Sequence, residues 1–160
     1  NLPLRGAKGW LYEGGIRVPL IVQWPGQGGR GLISAKPVIS ADFFPTVLEM
    51  AGLPLIPDQH VDGFSFASDV RGKPSPERPL FWHFPHYSNH GMQSPAGAVR
   101  RGRFKLIEYF ENGTSQLFDL ESDIGESNDL AQTRPELRMS MLHELRDWRE
   151  NVNAAMPTAR

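Results

Sequence analysis

A glycine-rich segment near the start of the chain has residue types suited to binding an anion. In residues 5–19 (RGAKGWLYEGGIRVP), Lys8 stands among glycines, and Glu13 and Arg17 follow it. Glycines let a ligand approach the backbone closely, and a lysine supplies a point positive charge for an oxyanion. The segment is not a phosphate-binding P-loop, because the order strand, glycine loop, Lys-Ser/Thr and helix is missing. A structural turn with surface ion pairs is the alternative interpretation.

A histidine-rich segment is the second candidate for chemistry. Residues 82–90 (WHFPHYSNH) contain His83, His86 and His90. Histidines bind zinc, but a catalytic zinc site usually needs a carboxylate or a distant third ligand on an ordered scaffold. The segment could instead offer imidazole and aromatic faces to a polar ligand. Ordinary surface or half-buried histidines are the third interpretation.

Two further motifs have simpler explanations. The acidic stretch in residues 119–129 lacks the glycine and the closing glutamate of an EF-hand at the required spacing, so we expect a solvated loop. Residues 112–114 (Asn-Gly-Thr) form a glycosylation sequon, but Asn-Gly is also a strong hairpin signal. The glycine-rich and histidine-rich segments therefore remain the main candidates.

The composition excludes several classes of protein. The 160 residues include 17 basic and 18 acidic side chains, a net charge of −1, which lacks the basic excess of a nucleic-acid-binding protein. There is no cysteine, which excludes disulfides, a thiol nucleophile and Cys-ligated zinc or iron–sulfur centres. No apolar run approaches the length of a membrane-spanning helix. We therefore expect neither nucleic acid nor a membrane as a partner.

The first part of the chain predicts a strand followed by a helix, as in an α/β layer. Residues 18–24 (VPLIVQW) form an apolar run that suits a buried strand. Asp42 or Ser40 can cap the start of the helix, and Pro45 is tolerated in its first turn. Gly52 ends the helix. Its apolar face is given by residues at helical spacing: Phe44, Val47, Leu48 and Ala51.

The second part of the chain predicts an antiparallel sheet. Short strands are expected in four places: residues 80–84, 96–100, 103–110 and 116–120. The dipeptides Arg101-Gly102 and Asn112-Gly113 are turn signals between neighbouring strands. Because such short connections cannot form a crossover, the strands must pair antiparallel.

The chain closes with a predicted amphipathic helix. Thr133 and Glu136 form a capping box at its start. Its apolar stripe is expected to pack on the sheet: Leu137, Met141, Leu145, Trp148 and Val152. The proline-rich residues 53–79 separate this part from the first one, so we predict a domain boundary within them.

Several segments resemble one known family. Residues 3–26 (PLRGAKGWLYEGGIRVPLIVQWPG) closely resemble a signature segment of the type I sulfatases, the formylglycine-dependent arylsulfatases. The resemblance continues, in the family's order, through five more segments: residues 40–46, 62–63, 81–87, 98–113 and 117–131. It implies an α/β fold class. The tail of an alkaline-phosphatase-like α/β domain (residues 1–70) would be followed by a small α+β domain (residues 71–160) with a four-stranded antiparallel sheet plus a C-terminal helix.

The resemblance also implies roles for particular residues. Lys8 matches the lysine that contacts the sulfate group, so it is predicted to be a catalytic and substrate-binding residue that stabilises negative charge. Glu13 and Arg17 match pattern positions and are interpreted as structural supports of the loop. His83 and His86 lie in a segment that resembles family members acting on sulfated carbohydrates, so both are predicted to bind substrate. The implied partner is a sulfate ester, of a carbohydrate in particular.

The nucleophile and metal ligands of the family have no match in this sequence. Formylglycine is made from Cys or Ser in a Cys/Ser-x-Pro-x-Arg motif, and this motif and the family's metal-binding aspartates are absent. We therefore expect the C-terminal part of a sulfatase, with no metal ligands of its own and no hydrolytic activity alone. Calcium and formylglycine are expected in the missing N-terminal part. The resemblance also implies a periplasmic or extracellular parent.

Two alternatives from other classes remain open. A related hydrolase of phosphate or phosphonate esters would differ in the missing nucleophile segment. A non-enzymatic sugar- or partner-binding module could have kept this part alone. Against the module, a truncated α/β layer would leave a sheet edge and an apolar face exposed, so an isolated chain is expected either to aggregate or to oligomerise through that sheet.

Overall fold

A four-stranded antiparallel sheet organises the C-terminal part of the chain. The computed structural model describes residues 1–29, 31–73, 75–89 and 93–158. The strands, in spatial order, are β1 (Leu80–Phe84), β2 (Ala96–Arg101), β3 (Phe104–Tyr109) and β4 (Ser115–Asp119). All neighbouring strands pair antiparallel. The sheet predicted from the sequence is therefore confirmed.

Glycines at the two predicted turns adopt backbone conformations that other residues rarely reach. Gly102 has a φ of 58° and Gly113 a φ of 65°, both in the left-handed region. In the second turn, Asn112 Oδ1 accepts hydrogen bonds from the Thr114 N–H (3.0 Å) and hydroxyl (2.7 Å). The hairpin interpretation of the Asn-Gly-Thr motif is therefore confirmed.

The described residues belong to two compact units. Residues 1–18 join the residues from 78 onward in one unit, which we call the sheet unit, and residues 19–77 form the other, the helical unit. The glycine-rich segment therefore belongs to the same unit as the sheet. The division into domains 1–70 and 71–160 describes the parent protein and stays a prediction.

Helix α4 (Pro135–Asn151) covers one face of the sheet, which we call the helix face. Val99 and Leu106 are paired across β2 and β3 and are fully buried. Met141 and Leu145 of α4 pack into the same core and are also fully buried. The predicted packing of the helix on the sheet is confirmed.

The start of α4 differs from the prediction. The N-cap residue is Arg134, which makes no capping side-chain hydrogen bond. Thr133 Oγ1 donates instead to the Leu130 carbonyl (3.3 Å). Pro135 begins the helix, and its fixed φ suits the first helical position without a capping side chain. The predicted capping box is therefore wrong.

The opposite face of the sheet is covered by residues 10–16 of the glycine-rich segment, and we call it the loop face. The short helix α1 (Glu13–Ile16) lies within this cover. Leu11 and Tyr12 are buried in the core on this side, together with sheet residues Ala96, Ala98, Ile107 and Phe118. The sheet is thus packed on both faces, and its loop face positions the segment that carries Lys8.

Short helices make up the helical unit. A 3₁₀ turn (Ser40–Asp42) leads directly into α2 (Phe43–Met50). A second 3₁₀ turn (Pro57–Gln59) precedes the four-residue α3 (Ala67–Val70). The helix predicted to start near Ser40 or Asp42 is confirmed.

The buried side of α2 is not the predicted one. Phe44 and Val47 are 43% and 61% exposed, whereas Thr46 is buried. The Asp42 carboxylate is buried at the start of the helix, and Thr46 Oγ1 accepts a hydrogen bond from the Phe66 N–H (3.0 Å). Polar contacts with the following segment orient α2 here, so the predicted apolar packing face is wrong for the described residues.

The predicted buried strand at residues 18–24 is not formed. Val18 and Ile21 are 81% and 93% exposed, and this segment joins no sheet among the described residues. A strand needs neighbouring strands to pair its backbone N–H and C=O groups. The four strands of the sheet pair only with one another, so the buried-strand prediction is wrong for the described part of the chain.

The helices of the described residues are short or strongly charged. The longest of them, α4, has 17 residues and includes charged side chains along its length. No helix in this part of the chain is long and apolar enough to cross a membrane.

Candidate anion-binding site

Lys8 occupies an exposed turn of the glycine-rich segment. Within the described residues, its side chain makes no hydrogen bond or ion pair. Gly9, the next residue, has a φ of 90°, and a β-carbon there would clash with Ser88 Oγ. Only glycine therefore fits this turn. An exposed ammonium group on a tight turn can bind an anion that arrives from solvent.

A buried ion cluster attaches the segment to the loop face. Lys105 Nζ, on β3, lies 3.1 Å from Glu13 Oε1 and 2.9 Å from Glu126 Oε1. Lys105 and Glu126 are fully buried, and Glu13 is 2% exposed. Buried charges are costly unless they are paired, and removing one partner is strongly destabilising. The cluster therefore holds Glu13, and with it α1, in one place on the sheet.

Two arginines complete the charge balance around Glu13. Arg17 and Arg100 each place a guanidinium nitrogen 3.6 Å from Glu13 Oε2. Three cations thus surround the two carboxylates of Glu13 and Glu126. The ion pair between Glu13 and Arg17 agrees with the structural role predicted for both residues.

Glu126 holds the segment through its backbone as well as its side chain. The Glu13 N–H donates to Glu126 Oε2 (2.6 Å), and the Arg5 guanidinium donates to the Glu126 carbonyl (2.6 Å). Burial raises the pKa of the Glu126 carboxyl, and the nearby Lys105 opposes this effect. Contacts on both sides of Lys8, at Arg5 and Glu13, therefore restrain its turn.

Tyrosine hydroxyls beneath the segment form a second anchor. Tyr12 and Tyr109 place their hydroxyl oxygens 2.8 Å apart. Both donate to Gln116 Oε1, at 2.6 and 3.0 Å. The Arg5 guanidinium lies 4.0 Å from the centre of the Tyr12 ring, a cation–π contact. Burial and the hydrogen bond with Tyr12 raise the pKa of Tyr109, so its hydroxyl stays protonated and can donate.

Gln93 connects the glycine-rich segment to the histidine-rich segment. This side chain is 1% exposed, and its Oε1 accepts a hydrogen bond from the Leu11 N–H (3.1 Å). Its backbone carbonyl accepts a hydrogen bond from the Ser88 N–H (3.0 Å). One buried residue thus fixes Leu11, three residues after Lys8, and Ser88, two residues after His86.

The two predicted substrate-binding histidines occupy different environments. His83 lies on the helix face, where its Nε2–H donates to the Ala155 carbonyl (2.8 Å) and its ring lies 5.4 Å from that of Phe110. The sheet therefore lies between His83 and the glycine-rich segment. His86 is exposed in the segment whose Ser88 contacts the Lys8 turn.

The roles of the histidines in substrate binding stay predictions. Within the described residues, His83 contacts the Ala155 carbonyl and the Phe110 ring, whereas His86 is exposed. The third histidine of the motif, His90, and the following Gly91 lie outside the described residues.

Tyr87 presents an exposed aromatic ring in the same segment. The side chain is 66% exposed, and its hydroxyl donates to the Glu111 carboxylate. That hydrogen bond raises the pKa of Tyr87. Glu111 belongs to the turn between β3 and β4, so the sheet fixes the hydroxyl end of an otherwise exposed ring.

The described residues show no arrangement of metal ligands. Among them, no three His, Asp or Glu side chains are grouped as a metal ion requires. In the acidic stretch, the Asp123 carboxylate accepts hydrogen bonds from the Ser127 hydroxyl and the Asn128 N–H, both at 2.8 Å. These contacts form a local turn, as the loop interpretation predicts. Glu126 of the same stretch is fully buried, however, so the expectation of a solvated loop is wrong at this residue. The calcium ion and the formylglycine expected elsewhere in the parent stay predictions.

The residues that position Lys8 were missed by the sequence reasoning. Lys105, Glu126 and Gln93 lie 82 to 113 residues away from their partners in the glycine-rich segment. Lys105 is one of two charged residues in the strand FKLIEY, the other being Glu108. A charge at an inward-facing strand position could have indicated a buried ion pair. Gln93 lies between strands, where no periodic pattern applies.

Fold and site together define a small α+β scaffold that presents an exposed lysine on a loop anchored by buried charges. A profile of the family described as "N-sulphoglucosamine sulphohydrolase, C-terminal" matches residues 7–151. Since this match covers most of the chain, the protein belongs to that family, which is the C-terminal part of sulfatases.

Individual relatives agree with this assignment. A "Sulfatase" of Formosa agariphila is 36% identical over 169 residues, which cover 96% of this chain and 31% of that protein. Human "Arylsulfatase A" is 28% identical, with 96% of this chain and 34% of that protein covered. The solved structure of Ps i-CgsB has a TM-score of 0.76 and 29% identity, and covers 92% of this chain and 32% of its own. These neighbours confirm the predicted fold class.

The similarity covers only part of each relative. The chain spans about a third of the length of the relatives that it matches. The remaining two thirds of those proteins have no counterpart among the residues described here, and the activity of a whole protein is therefore a matter for proposal.

Proposed function

We propose that this chain is the C-terminal part of a sulfuric ester hydrolase in which Lys8 binds the sulfate group of the substrate. The observation that carries the proposal is the contrast between Lys8 and Lys105. Lys105 is buried and neutralised by two carboxylates. Lys8 is exposed and, within the described residues, has no anionic partner. Its positive charge is therefore available for the substrate.

The role of Lys8 is electrostatic. During hydrolysis of a sulfate ester, the bond between sulfur and the alcohol oxygen breaks, and negative charge develops on the oxygens around sulfur. A fixed positive charge beside those oxygens stabilises the transition state, and removing one such group typically costs about 10²–10³ in rate. The anchors at Arg5 and Glu13 limit the movement of the turn before substrate binds, which is the preorganisation that this effect requires.

The nucleophile and the metal of the reaction are proposed to lie outside the residues described here. The family resemblance implies that they are a formylglycine and a calcium ion. The positive charge of the calcium ion would add to that of Lys8 at the sulfuryl oxygens. The residues of this chain supply neither, and the chain alone is expected to show no turnover. A periplasmic or extracellular location of the whole enzyme is part of the same proposal.

The proposed substrate is a sulfated carbohydrate. Ps i-CgsB, 29% identical to this chain, has also been solved with k-i-k-neocarrahexaose. In the present chain, the polar and aromatic residues His86 and Tyr87 are exposed beside the Lys8 turn. Such residues suit a polar ligand with apolar ring faces. A hydroxyl-rich ring with a sulfate ester fits this combination.

The experiment is a kinetic comparison in the whole enzyme that carries this chain. Lys8→Ala and Lys8→Arg are assayed with 4-nitrophenyl sulfate and 4-nitrophenyl phosphate, with Lys73→Ala as the control at another exposed lysine. We expect Lys8→Ala to lower kcat/KM for the sulfate ester by about 10²-fold or more, Lys8→Arg to retain part of the activity, and Lys73→Ala to match the wild type. Activity of Lys8→Ala within threefold of the wild type would overturn the proposal, and a preference for the phosphate ester would replace it with a phosphate hydrolase.

A further inference from the structure

We propose that Tyr87 is the platform on which the sugar ring of the substrate stacks, and that Glu111 holds this platform in place. The inference rests on the proposed function, because it takes the sulfate-binding role of Lys8 as given. It adds a specificity-determining residue for the part of the substrate that leaves with the alcohol oxygen.

The exposure of Tyr87 is the first observation. Its side chain is 66% exposed although it follows β1 closely and is tied to the sheet unit at its hydroxyl end. A tyrosine is amphipathic, with an apolar ring and a polar tip. Here the polar tip is engaged by Glu111, so the exposed part is mainly the ring. The C–H face of a pyranose is a complementary surface for it.

The position of Tyr87 relative to Lys8 is the second observation. A β-carbon at Gly9 would lie 3.2 Å from Ser88 Cβ, so the side chain of Ser88 lies against the backbone of Gly9. Lys8 precedes Gly9, and Tyr87 precedes Ser88. Because consecutive Cα atoms are 3.8 Å apart, the Cα atoms of Lys8 and Tyr87 are at most about 14 Å apart. In the proposed site, one sulfated monosaccharide contacts both side chains at this separation.

The attachment of this segment is the third observation. The Ser88 N–H donates to the Gln93 carbonyl (3.0 Å), while the Gln93 side chain accepts from the Leu11 N–H (3.1 Å). The Tyr87 and Lys8 segments are thus held by the same buried residue. A shared anchor keeps the distance between ring and ammonium group constant, which lowers the entropy lost on binding.

Glu111 orients the ring from the other side. It lies next to the turn in which Asn112 Oδ1 accepts two hydrogen bonds from Thr114, so its backbone is well defined. Its Oε1 accepts the Tyr87 hydroxyl, and its Oε2 has no hydrogen-bond partner within the described residues. Oε2 is therefore available to accept a hydrogen bond from a sugar hydroxyl beside the ring.

The test measures binding in the whole enzyme by calorimetry. The probes are a panel of monosulfated hexoses, k-i-k-neocarrahexaose, and inorganic sulfate as an anion without a ring. The variants are Tyr87→Ala, Tyr87→Phe and Lys8→Ala, with Met139→Ala as a control at a residue on α4 that is 63% exposed. We expect Tyr87→Ala to weaken the binding of the sugar sulfates about tenfold and that of inorganic sulfate less than twofold. Tyr87→Phe keeps the ring but loses the hydrogen bond to Glu111, so we expect it to weaken the binding of the sugar sulfates by about threefold and that of inorganic sulfate less than twofold. Unchanged binding in Tyr87→Phe would overturn the role of Glu111.

The outcomes separate this inference from the proposed function. If Lys8→Ala weakens all probes but Tyr87→Ala weakens none, the ring platform is wrong and the sulfate site stands. The platform would also be wrong if Tyr87→Ala weakened the binding of inorganic sulfate as much as that of the sugar sulfates. It would be wrong as well if Tyr87→Phe weakened binding as much as Tyr87→Ala. If Lys8→Ala changes no dissociation constant, the sulfate site fails. If none of the sugar sulfates binds to the wild type, both the platform and the carbohydrate part of the proposed function are wrong.

Discussion

The sheet unit and the helical unit bury their side chains in different ways. In the sheet unit, both faces of the sheet are covered, and Val99, Leu106, Ile107 and Leu117 are fully buried. In the helical unit, large apolar side chains remain exposed, among them Ile21 at 93%, Ile33 at 97% and Val47 at 61%. The sheet unit completes its cores from residues of this chain, whereas the helical unit leaves apolar surface uncovered.

The difference explains where a site can be positioned accurately. Lys8 belongs to the sheet unit and is restrained by ion pairs and hydrogen bonds that are almost fully buried. In the helical unit, the ion pair between Lys36 and Asp69 is partly exposed, with 20% and 11% of the two side chains accessible. Breaking a partly exposed ion pair costs less stability than removing one partner of a buried, hydrogen-bonded ion pair. The rigid support therefore lies under Lys8.

The largest predicted effect is that of removing the central cation of the sheet unit. Lys105→Met leaves Glu13 and Glu126 as buried carboxylates without their shared partner, so we expect a loss of about 3–5 kcal/mol in stability. The measurement is amide hydrogen exchange in the whole protein, where exchange in β2 and β3 should accelerate. Exchange in α2, in the helical unit, should be unchanged.

The matched control for this prediction is Lys36→Met in the helical unit. Because its ion pair with Asp69 is partly exposed, we expect Lys36→Met to lower the free energy of unfolding by about 1 kcal/mol or less. If both substitutions had the same effect, or if Lys105→Met accelerated exchange equally in both units, the contrast between buried and exposed anchoring would be wrong.

A smaller effect is predicted for Gln93→Leu. The buried Leu11 N–H would lose its acceptor, which costs about 1–3 kcal/mol. Exchange of the Leu11 amide itself reports this loss directly and should become faster. Gln132→Leu, at an exposed glutamine of the same unit, is the control and should leave the Leu11 amide unchanged. Unaltered protection of Leu11 in Gln93→Leu would contradict the proposed tether.

Thr46→Val is the reciprocal substitution in the helical unit. It keeps the shape of the side chain but removes the acceptor of the Phe66 N–H, with an expected cost of about 1–2 kcal/mol. Exchange should accelerate in α2 and α3 and stay unchanged in β3. Acceleration in β3 would show that the two units do not unfold separately.

The smallest effect concerns an exposed pair of the sheet unit. The hydrogen bond from Arg103 lowers the pKa of Asp119 to about 2 from its usual 3.8. The stability contributed by this pair is therefore fully present above about pH 3.8 and is lost as the pH falls through 2. NMR titration of the Asp119 carboxyl should show a pKa near 2 in the wild type and a higher pKa in Arg103→Met, where the hydrogen bonds from Glu121 and Ser122 remain. An ordinary value in the wild type would contradict the pairing.

The sequence allowed the sheet unit to be predicted more accurately than the helical unit, for a physical reason. The strand Leu80–Phe84 was predicted with its observed bounds, because local alternation and turn residues define it. The residues 18–24 look like a strand by the same local criteria, but a strand also needs neighbours, and neighbours are not a local property. The exposed face of α2 illustrates the same limitation.

The candidate site shows a similar division. Lys8 could be found from a contiguous segment that resembles the sulfatases, and the same resemblance indicated the structural role of Glu13 and Arg17. The contacts of Lys105 with Glu126 and of Gln93 with Leu11 join residues that are distant in sequence, so no local pattern indicates them. The alternation of side chains along a strand places His83 on the helix face, so this position could have been predicted from the sequence.

The central claim is that the buried anchors act on the reaction through Lys8, and a double-mutant cycle tests it most directly. The specificity constant kcat/KM for a sulfate ester is measured in the whole enzyme for the wild type, Gln93→Leu, Lys8→Ala and the double variant. The account predicts that Gln93→Leu lowers kcat/KM about tenfold when Lys8 is present and less than about twofold when Lys8 is alanine, because coupled residues are not additive. An equal tenfold loss in both backgrounds would contradict it, since Gln93 would then act independently of Lys8.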